Sequence, residues 1–276
     1  MVLKRDEDVV IIERSRVNDS ALFKSNYDRF IMPENERGLF HTLRKVVNRL
    51  QAGAYAVKPT LCSKITMFFY TPAPKICRGG HLLDIGCSSG NFMANLEKIW
   101  KAEGIEINTK ACRIARNKGL SVRNCDVMEL QATTQYDLIR CSHIYEHIND
   151  PENFNSKVVS ILNKGGLLII YTPNLDSMTR KIFGDIWEGY YDETHFRIYG
   201  KAYFLKMATI YGLEVRSVRS YYMGYNISTV VRLLRINSKV IRSFLSILML
   251  VVCFPFELLL SKAGWGDALY IELKKT

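Results

Sequence analysis

The chain has 276 residues, 48% of them hydrophobic and 24% charged, which excludes a disordered polypeptide and is enough for one large domain with appended segments. Its formal net charge of +11 favours an anionic partner, such as a nucleic acid, an anionic membrane or a phosphorylated substrate. Charged residues near the start, and seven cysteines without a CxxC motif, predict a cytoplasmic protein with reduced thiols, no export signal and no disulfide or zinc framework.

Residues 1–80 lack the regular alternation of strand and helix patterns that follows them. They predict a helical N-terminal cap, with a basic amphipathic helix near residues 36–57. From residue 81 onwards strand and helix patterns alternate, which is typical of a parallel sheet with helices on both faces.

The alternating part of the chain contains seven predicted strands, at residues 81–85, 104–107, 120–123, 136–141, 166–171, 213–221 and 268–274. Predicted helices cover residues 91–101, 110–117 and 203–211, and a further helix begins at Asp150–Pro151 and is closed by Gly165–Gly166. These patterns divide the chain into a cap (1–80), an α/β core (81–222), a helical insertion (223–265) and a final core strand (266–276).

The loop after the first predicted strand lies in 82-LLDIGCSSGNF-92. Ligands of doubly wound sheets bind outside the carboxyl ends of the strands. The loop is not a GxGxxG dinucleotide motif, because it reads D-x-G-x-x-x-G with Asp84, Gly86 and Gly90. Asp84 could receive an ammonium group, and a helix N-terminus after Gly90 could receive a carboxylate. This predicts a cofactor that carries an amino acid, while the alternative is a purely structural turn.

Three further segments follow predicted strands and carry acidic or polar residues. Glu106 lies in 104-GIEIN-108, and Asp126 lies in 124-NCDVMEL-130, where it could instead cap its own backbone. The run 142-SHIYEHINDP-151 is followed by 162-LNKGGLLIIYTPN-174. In order and spacing, this set resembles the class I S-adenosylmethionine-dependent methyltransferases, and in particular the bacterial subgroup that includes ubiquinone-biosynthesis O-methyltransferases.

The resemblance implies a Rossmann-like, seven-stranded, mostly parallel sheet that binds S-adenosylmethionine. In that family the acid at Glu106 contacts the ribose hydroxyls and the acid at Asp126 contacts the adenine amino group. The family usually has glycine where this chain has Ser88, which reduces backbone freedom slightly. The expected cofactor-binding residues are Asp84, Gly86, Cys87, Gly90, Glu106, Ile107, Asp126, Val127 and Ser142.

Three histidines lie where they could assist transfer to an oxygen acceptor: His143, His147 and His195. Some relatives bind a divalent metal through E-x-x-E-H, and here the first glutamate is replaced, giving H-x-x-E-H. We predict no metal, with His143, Glu146 and His147 as the candidate ligands, His195 as a fourth, and a structural Glu146–His147 pair as the alternative. Trp187, Tyr190 and Tyr191 are expected to line the acceptor pocket or to belong to the core.

The insertion contains the apolar run 243-SFLSILMLVVCFPFELLL-260, interrupted by Pro255 and Glu257. A single transmembrane helix is not expected, because the strand that follows must return to the same sheet. The basic residues Arg232, Arg235, Lys239 and Arg242 precede the run. Two interpretations stay open: a helix lying in an anionic membrane interface, or a helix buried on the sheet or in a dimer.

These observations predict O-methylation of a sugar, glycolipid or polyprenyl-linked small molecule by a cytoplasmic protein that lies at the inner face of the membrane. One alternative is an RNA 2′-O-methyltransferase, although the sequence contains no recognisable RNA-binding module and nucleic acid is not the expected partner. Another alternative is a non-catalytic, membrane-associated relative. The sequence identifies neither the acceptor nor the oligomeric state.

Overall fold

The computed structural model describes residues 2–6, 8–13, 46, 49–69, 72–76, 78–96, 98–131, 134–192, 194–235 and 239–276. Its main sheet has seven strands: β3 (Gly80–Ile85), β4 (Trp100–Ile105), β5 (Val122–Arg123), β6 (Tyr136–Ser142), β7 (Leu162–Pro173), β9 (Leu213–Tyr221) and β10 (Ala268–Lys275). Their order is β5-β4-β3-β6-β7-β10-β9. Strands β3 to β7 are parallel, and β10 is antiparallel to both of its neighbours. The predicted Rossmann-like α/β fold is confirmed.

Apolar side chains from both faces of this sheet form the core. The helices are α1 (Leu61–Phe69), α2 (Thr109–Asn117), α3 (Pro151–Ser160), α4 (Met178–Phe183), α5 (Lys201–Ile210), α6 (Tyr225–Leu233) and α7 (Lys239–Lys262). Helix α3 begins as predicted, with the Asp150 side chain accepting the Asn153 N–H. Its end differs, because Gly165–Gly166 lie inside β7 rather than at the end of the helix.

The predicted helix at residues 91–101 does not form. Only a 3-10 turn, Met93–Asn95, is present, and β4 begins at Trp100, which pairs with Gly80. The Trp100 indole is buried and donates from Nε1 to the Tyr55 carbonyl oxygen at 2.8 Å. The apolar residues that suggested a helix are therefore divided between the turn and the strand. As a result β4 begins before the predicted 104–107 and ends before Glu106.

The N-terminal segment contains two strands that the predicted helical cap did not include. Strands β1 (Val2–Arg5) and β2 (Val9–Glu13) form an antiparallel sheet with β8 (Arg197–Tyr199). The predicted helix near 36–57 lies mostly outside the described residues, within which residues 49–53 are helical. Pairing with a strand about 190 residues away overrides the local pattern of the first residues.

The insertion before the final strand is helical, as predicted, and consists of α6 and α7. Helix α7 contains Pro255 in its interior. Among the described residues, no helix combines the length and the apolar content needed to cross a bilayer.

Candidate functional site

The loop that follows β3 is built on left-handed backbone. Gly86 has φ of 70° and Gly90 has φ of 74°. A Cβ atom at Gly86 would lie 2.1 Å from Cδ1 of Ile144, so any other residue would require that side chain to move and would also adopt an unfavourable positive φ. Ser88 also has a positive φ, 50°, at the position where the related enzymes usually have glycine. This loop therefore carries backbone strain that a serine does not relieve.

Glu106 lies directly after β4 and bonds to the loop that follows β3. Its buried carboxylate accepts the Ser88 N–H at Oε2 (2.8 Å) and the Asn108 N–H at Oε1 (2.7 Å). Burial raises the pKa of Glu106, and the two backbone N–H groups oppose that shift. The acid that was predicted to contact a ribose therefore lies against the glycine loop, at the carboxyl ends of adjacent parallel strands.

Asp84 is buried in an ion pair below the loop. Its Oδ1 lies 2.7 Å from Nη1 of Arg140 on the neighbouring strand, and the Arg140 guanidinium stacks 4.0 Å from the centre of the Phe92 ring. Burial raises the pKa of Asp84, and the Arg140 charge opposes the shift. Direct capture of an ammonium group by Asp84 was expected, but one oxygen is already engaged by a cation. The other oxygen, Oδ2, has no hydrogen-bond partner within the described residues.

The remaining predicted cofactor residues lie along the same edge in three different environments. Asp126 is exposed and accepts the Met128 N–H at 2.9 Å, so it caps its own turn. The side chains of Val127 and Cys87 are buried, and burial raises the pKa of the Cys87 thiol. Ile107 is exposed, whereas Ser142, at the end of β6, is half-buried. The expected helix N-terminus after Gly90 is absent, because only the short turn at Met93–Asn95 follows the loop.

A histidine and a glutamate form a dyad directly after β6. His143 has φ of 56°, and its Nδ1 lies 3.0 Å from Oε1 of Glu146, which is fully buried. The other carboxylate oxygen accepts the Thr172 hydroxyl at 3.0 Å. Burial alone would raise the pKa of Glu146, but the His143 hydrogen bond and the neighbouring histidine charges outweigh it and lower the pKa to about 2.

This arrangement sets the protonation of the His143 ring. Because Glu146 is ionised at neutral pH, His143 Nδ1 is the hydrogen-bond donor, and in the neutral ring the lone pair lies on Nε2. Nε2 lies 3.4 Å from the hydroxyl oxygen of Tyr221, and the imidazole is partly exposed. A histidine oriented by a buried carboxylate is suited to accept a proton.

Two further histidines meet the same glutamate. The ligand atoms of Glu146, His147 and His195 all lie within 4.8 Å of one another. Nδ1 of His147 donates to the Thr194 carbonyl (2.8 Å), and Nδ1 of His195 donates to the Gly189 carbonyl (2.8 Å). His143, which was predicted as a co-ligand, is not in this group, and its Nδ1 donates to Glu146 instead. Burial and the His147 charge lower the pKa of His195 to about 4, which makes this residue a weak base.

The aromatic residues predicted to line an acceptor pocket are mostly core. Trp187 and Tyr190 are almost fully buried and pack with side chains of β2 and β8. Trp187 donates from Nε1 to the Thr179 hydroxyl at 3.0 Å. Only Tyr191 is exposed, and the Arg232 guanidinium stacks 3.4 Å from the centre of its ring. Of the two readings left open by the sequence, core packing applies to Trp187 and Tyr190.

Three residues of this region were not predicted: Arg140, Thr172 and Tyr221. Each lies within a strand pattern, and each acquires its role through a neighbouring strand. A charged residue at position 140, between apolar neighbours, is the one signal in the sequence that could have indicated the pair with Asp84. Nothing in the local sequence singles out Thr172 or Tyr221.

Residues 55–218 match a family model described as a methyltransferase domain. Among curated proteins, the ubiquinone biosynthesis O-methyltransferase of Coxiella burnetii is 26% identical over 105 residues, covering 35% of this chain and 45% of that protein. The corresponding enzyme of Bordetella avium is 28% identical over 106 residues, covering 35% and 44%. The chain thus spans less than half the length of the curated relatives it matches.

Solved structures show the same fold over nearly the whole chain. A methyltransferase from Thermotoga maritima superposes with a TM-score of 0.55 at 17% identity, covering 92% of this chain and 97% of that one. Magnesium protoporphyrin IX methyltransferase from Synechocystis, solved with S-adenosylhomocysteine, superposes with a TM-score of 0.54 at 13% identity, covering 93% and 95%. At these identities the likeness supports the fold alone.

Proposed function

The chain belongs to the methyltransferase domain family, and we propose that it transfers the methyl group of S-adenosylmethionine to an oxygen atom of a sugar, glycolipid or polyprenyl-linked acceptor. The observation that carries this proposal is the His143–Glu146 dyad at the carboxyl edge of β6, beside the loop from Gly86 to Gly90. A cofactor loop and an oriented base at adjacent strand ends suit methylation of a hydroxyl group.

The cofactor, when bound, supplies an activated methyl group on a sulfonium that leaves as a neutral thioether. The glycine loop allows close approach of a ligand, and Glu106 holds the Ser88 N–H and would accept from ribose hydroxyls with its remaining lone pairs. The exposed Asp126 would face the adenine. Fixing both reactants in line is the main contribution that the protein makes to such a displacement.

Methylation of an acceptor hydroxyl would require that hydroxyl to lose its proton. We assign that proton to His143 Nε2. The resulting imidazolium is stabilised by Glu146, whose low pKa keeps the carboxylate ionised throughout. His143 is preferred over His195 as the base, because His195 is buried and has a pKa of about 4.

A divalent transition metal fits the group of Glu146, His147 and His195. The Nδ1 atoms of both imidazoles donate to carbonyl oxygens, which leaves the Nε2 lone pairs, and these together with the Glu146 carboxylate would hold the metal. A metal held there would lower the pKa of the acceptor hydroxyl. If EDTA treatment and gel filtration leave turnover unchanged, the metal has no part in the reaction.

RNA 2′-O-methylation is the alternative that such a metal group would favour. Against it, the basic insertion also exposes large apolar side chains, which suit lipid better than a nucleic acid backbone. Nuclease sensitivity of the methylated product separates the two functions.

The deciding experiment uses the purified protein, methyl-labelled S-adenosylmethionine and a cell extract, followed by partition into organic and aqueous phases. We expect label in the organic phase for a lipid or lipid-linked acceptor, and label in a nuclease-resistant aqueous product for a soluble sugar. Gly86→Ala serves as the control for the cofactor loop and should lower the rate, since alanine strains the positive φ at this position and its Cβ would displace the Ile144 side chain. If neither phase is labelled and calorimetry detects no binding of S-adenosylhomocysteine, the protein is a non-catalytic relative.

A further inference from the structure

Helix α7 exposes a line of large apolar side chains. Leu248, Val252, Phe256 and Leu259 are 47%, 58%, 69% and 66% exposed. Their spacing of four, four and three residues places them on one side of the helix, within an arc of about 80° at 100° per residue. We call these four residues the α7 stripe. Isolated exposed apolar residues are ordinary, but a continuous line of them marks a surface that contacts something.

The opposite side of α7 is fixed to the core. Glu257 is buried and accepts a hydrogen bond from Nδ2 of Asn226 on α6 at 3.1 Å. Ser261 is also buried, and its carbonyl oxygen accepts the hydroxyl of Ser220 on β9 at 2.8 Å. These contacts prevent the helix from rotating to bury the α7 stripe. Core packing, which the sequence left open for this helix, therefore accounts for only one of its two sides.

The insertion that carries the α7 stripe is basic. Residues 223–265 contain five basic residues, Arg232, Arg235, Lys239, Arg242 and Lys262, and one acidic residue, Glu257. Arg232 is paired with Glu188 at 2.9 Å, and Glu257 is buried, so the insertion itself exposes no acidic side chain. An apolar line on such a basic insertion is complementary to an anionic lipid surface. A second copy of the same surface would instead place like charges opposite each other.

The ends of the insertion add to the same pattern. Leu234 follows α6 and is 60% exposed, and Trp265 follows α7 and is 42% exposed. Tryptophan is favoured at the boundary between lipid headgroups and acyl chains. With no helix able to span the bilayer among the described residues, an element lying parallel to the surface is the arrangement that these side chains fit.

We propose that the α7 stripe docks the protein on the surface of an anionic lipid bilayer, with its apolar side chains inserted below the headgroups and the exposed Arg235 and Lys262 at the phosphates. Helix α6 connects this surface to the candidate site, because the Thr229 hydroxyl accepts the Glu188 N–H and Tyr225 packs edge-to-face on Trp187. Helix α6 thus contacts both α7, through Asn226 and Glu257, and the segment 187–188 that precedes His195. This inference concerns a binding surface and does not depend on methyl transfer.

The test is sedimentation of the full-length protein with sucrose-loaded vesicles of phosphatidylcholine, with or without phosphatidylglycerol. We expect binding to the anionic vesicles at low ionic strength and weaker binding as salt is added. Phe256→Ser with Leu259→Ser should lower the partition coefficient about 100-fold, given the apolar area that these two side chains expose. The matched control is Leu61→Ser with Ile210→Ser, at apolar residues of 72% and 76% exposure far from α7 in sequence, which should change it less than about twofold.

A second variant tests the charge separately, so that a folding defect in the first cannot decide the outcome. Arg235→Gln with Lys262→Gln should lower binding to anionic vesicles about 30-fold and leave binding to neutral vesicles unchanged. The proposal is overturned if the protein binds neither vesicle, or if the stripe variant and its control bind equally. It is also overturned if light scattering finds a dimer that dissociates in the stripe variant while vesicle binding is absent. The vesicle assay contains no S-adenosylmethionine, so it measures docking independently of methyl transfer. A protein that binds vesicles but shows no methyltransferase activity would therefore refute the proposed function and leave the docking proposal standing.

Discussion

Replacing His143 with asparagine tests the proposed base most directly. His143 has left-handed backbone, φ 56°, and asparagine tolerates that conformation better than most residues, so the change removes the imidazole with little added strain. A positioned general base contributes about 10²- to 10⁴-fold, which corresponds to roughly 3–5 kcal/mol of the barrier. We expect kcat to fall by about 10³-fold while the affinity for S-adenosylhomocysteine stays within about threefold.

The assay measures the initial rate of S-adenosylhomocysteine formation at saturating cofactor from pH 5 to 9. His143→Asn should lower the rate throughout this pH range, because the imidazole is absent at every pH. Because the imidazole is partly exposed, added imidazole should restore part of the rate. His81→Asn, at the opposite end of β3, is the matched control and should behave as the wild type.

A variant that keeps kcat within about threefold of the wild type would refute the assignment of His143 as the base. A variant that loses activity but gains nothing from added imidazole would assign His143 a role in positioning Glu146. In that case the metal-binding interpretation of Glu146, His147 and His195 becomes the stronger one, and its signature is loss of activity with EDTA and recovery with a transition metal.

The remaining predictions concern stability. Burial raises the pKa of Glu257 to about 7, so the folded state keeps a proton that the unfolded chain releases near pH 4.5. The free energy of unfolding should therefore fall by up to about 3 kcal/mol as the pH rises between these two values. Urea unfolding at pH 5 and pH 8 measures this fall, which should be smaller in Glu257→Gln than in the wild type. Ser88→Gly should raise Tm by about 2 °C by relieving the left-handed backbone, whereas Ser88→Ala should give no gain. Arg140→Leu should lower the free energy of unfolding in urea by about 3–5 kcal/mol, because it leaves the Asp84 carboxylate buried and unpaired. Adding Asp84→Leu should recover part of this loss. Equal stability of Arg140→Leu and the wild type would contradict the ion pair.

Local patterns were sufficient where the structure depends on near neighbours. Strand β9 has the predicted bounds, and the start of α3 was predicted from the adjacent residues Asp150 and Pro151. The helix at residues 91–101 was predicted wrongly, because its apolar residues satisfy helical spacing, whereas Trp100 gains more by entering the sheet beside Gly80. Strand β1 pairs only with its neighbour β2, and β2 also pairs with β8, which lies about 190 residues further along the chain, so the sheet that holds the hairpin is not visible in the local sequence.

The candidate site divides in the same way. Glu146 and His147 were predicted from a contiguous motif, and the structure brings them together with the distant His195. The sequence could not show that His143 bonds to Glu146 rather than joining that group, because this depends on the left-handed backbone after β6. It also could not show that Trp187 is sequestered in a core shared with β2, since that contact crosses most of the chain.

The position of β10 has a consequence for how this chain is made. Because β10 pairs with both β7 and β9, a growing chain has these two strands complete and unpaired with each other while the insertion is still being synthesised. At roughly 5–20 residues per second, the 47 positions from Tyr221 to Ala268 take about 2–10 s to emerge. During that interval α7 is made before β10 can join β9 to β7, so the strand against which α7 packs is not yet fixed to the rest of the sheet.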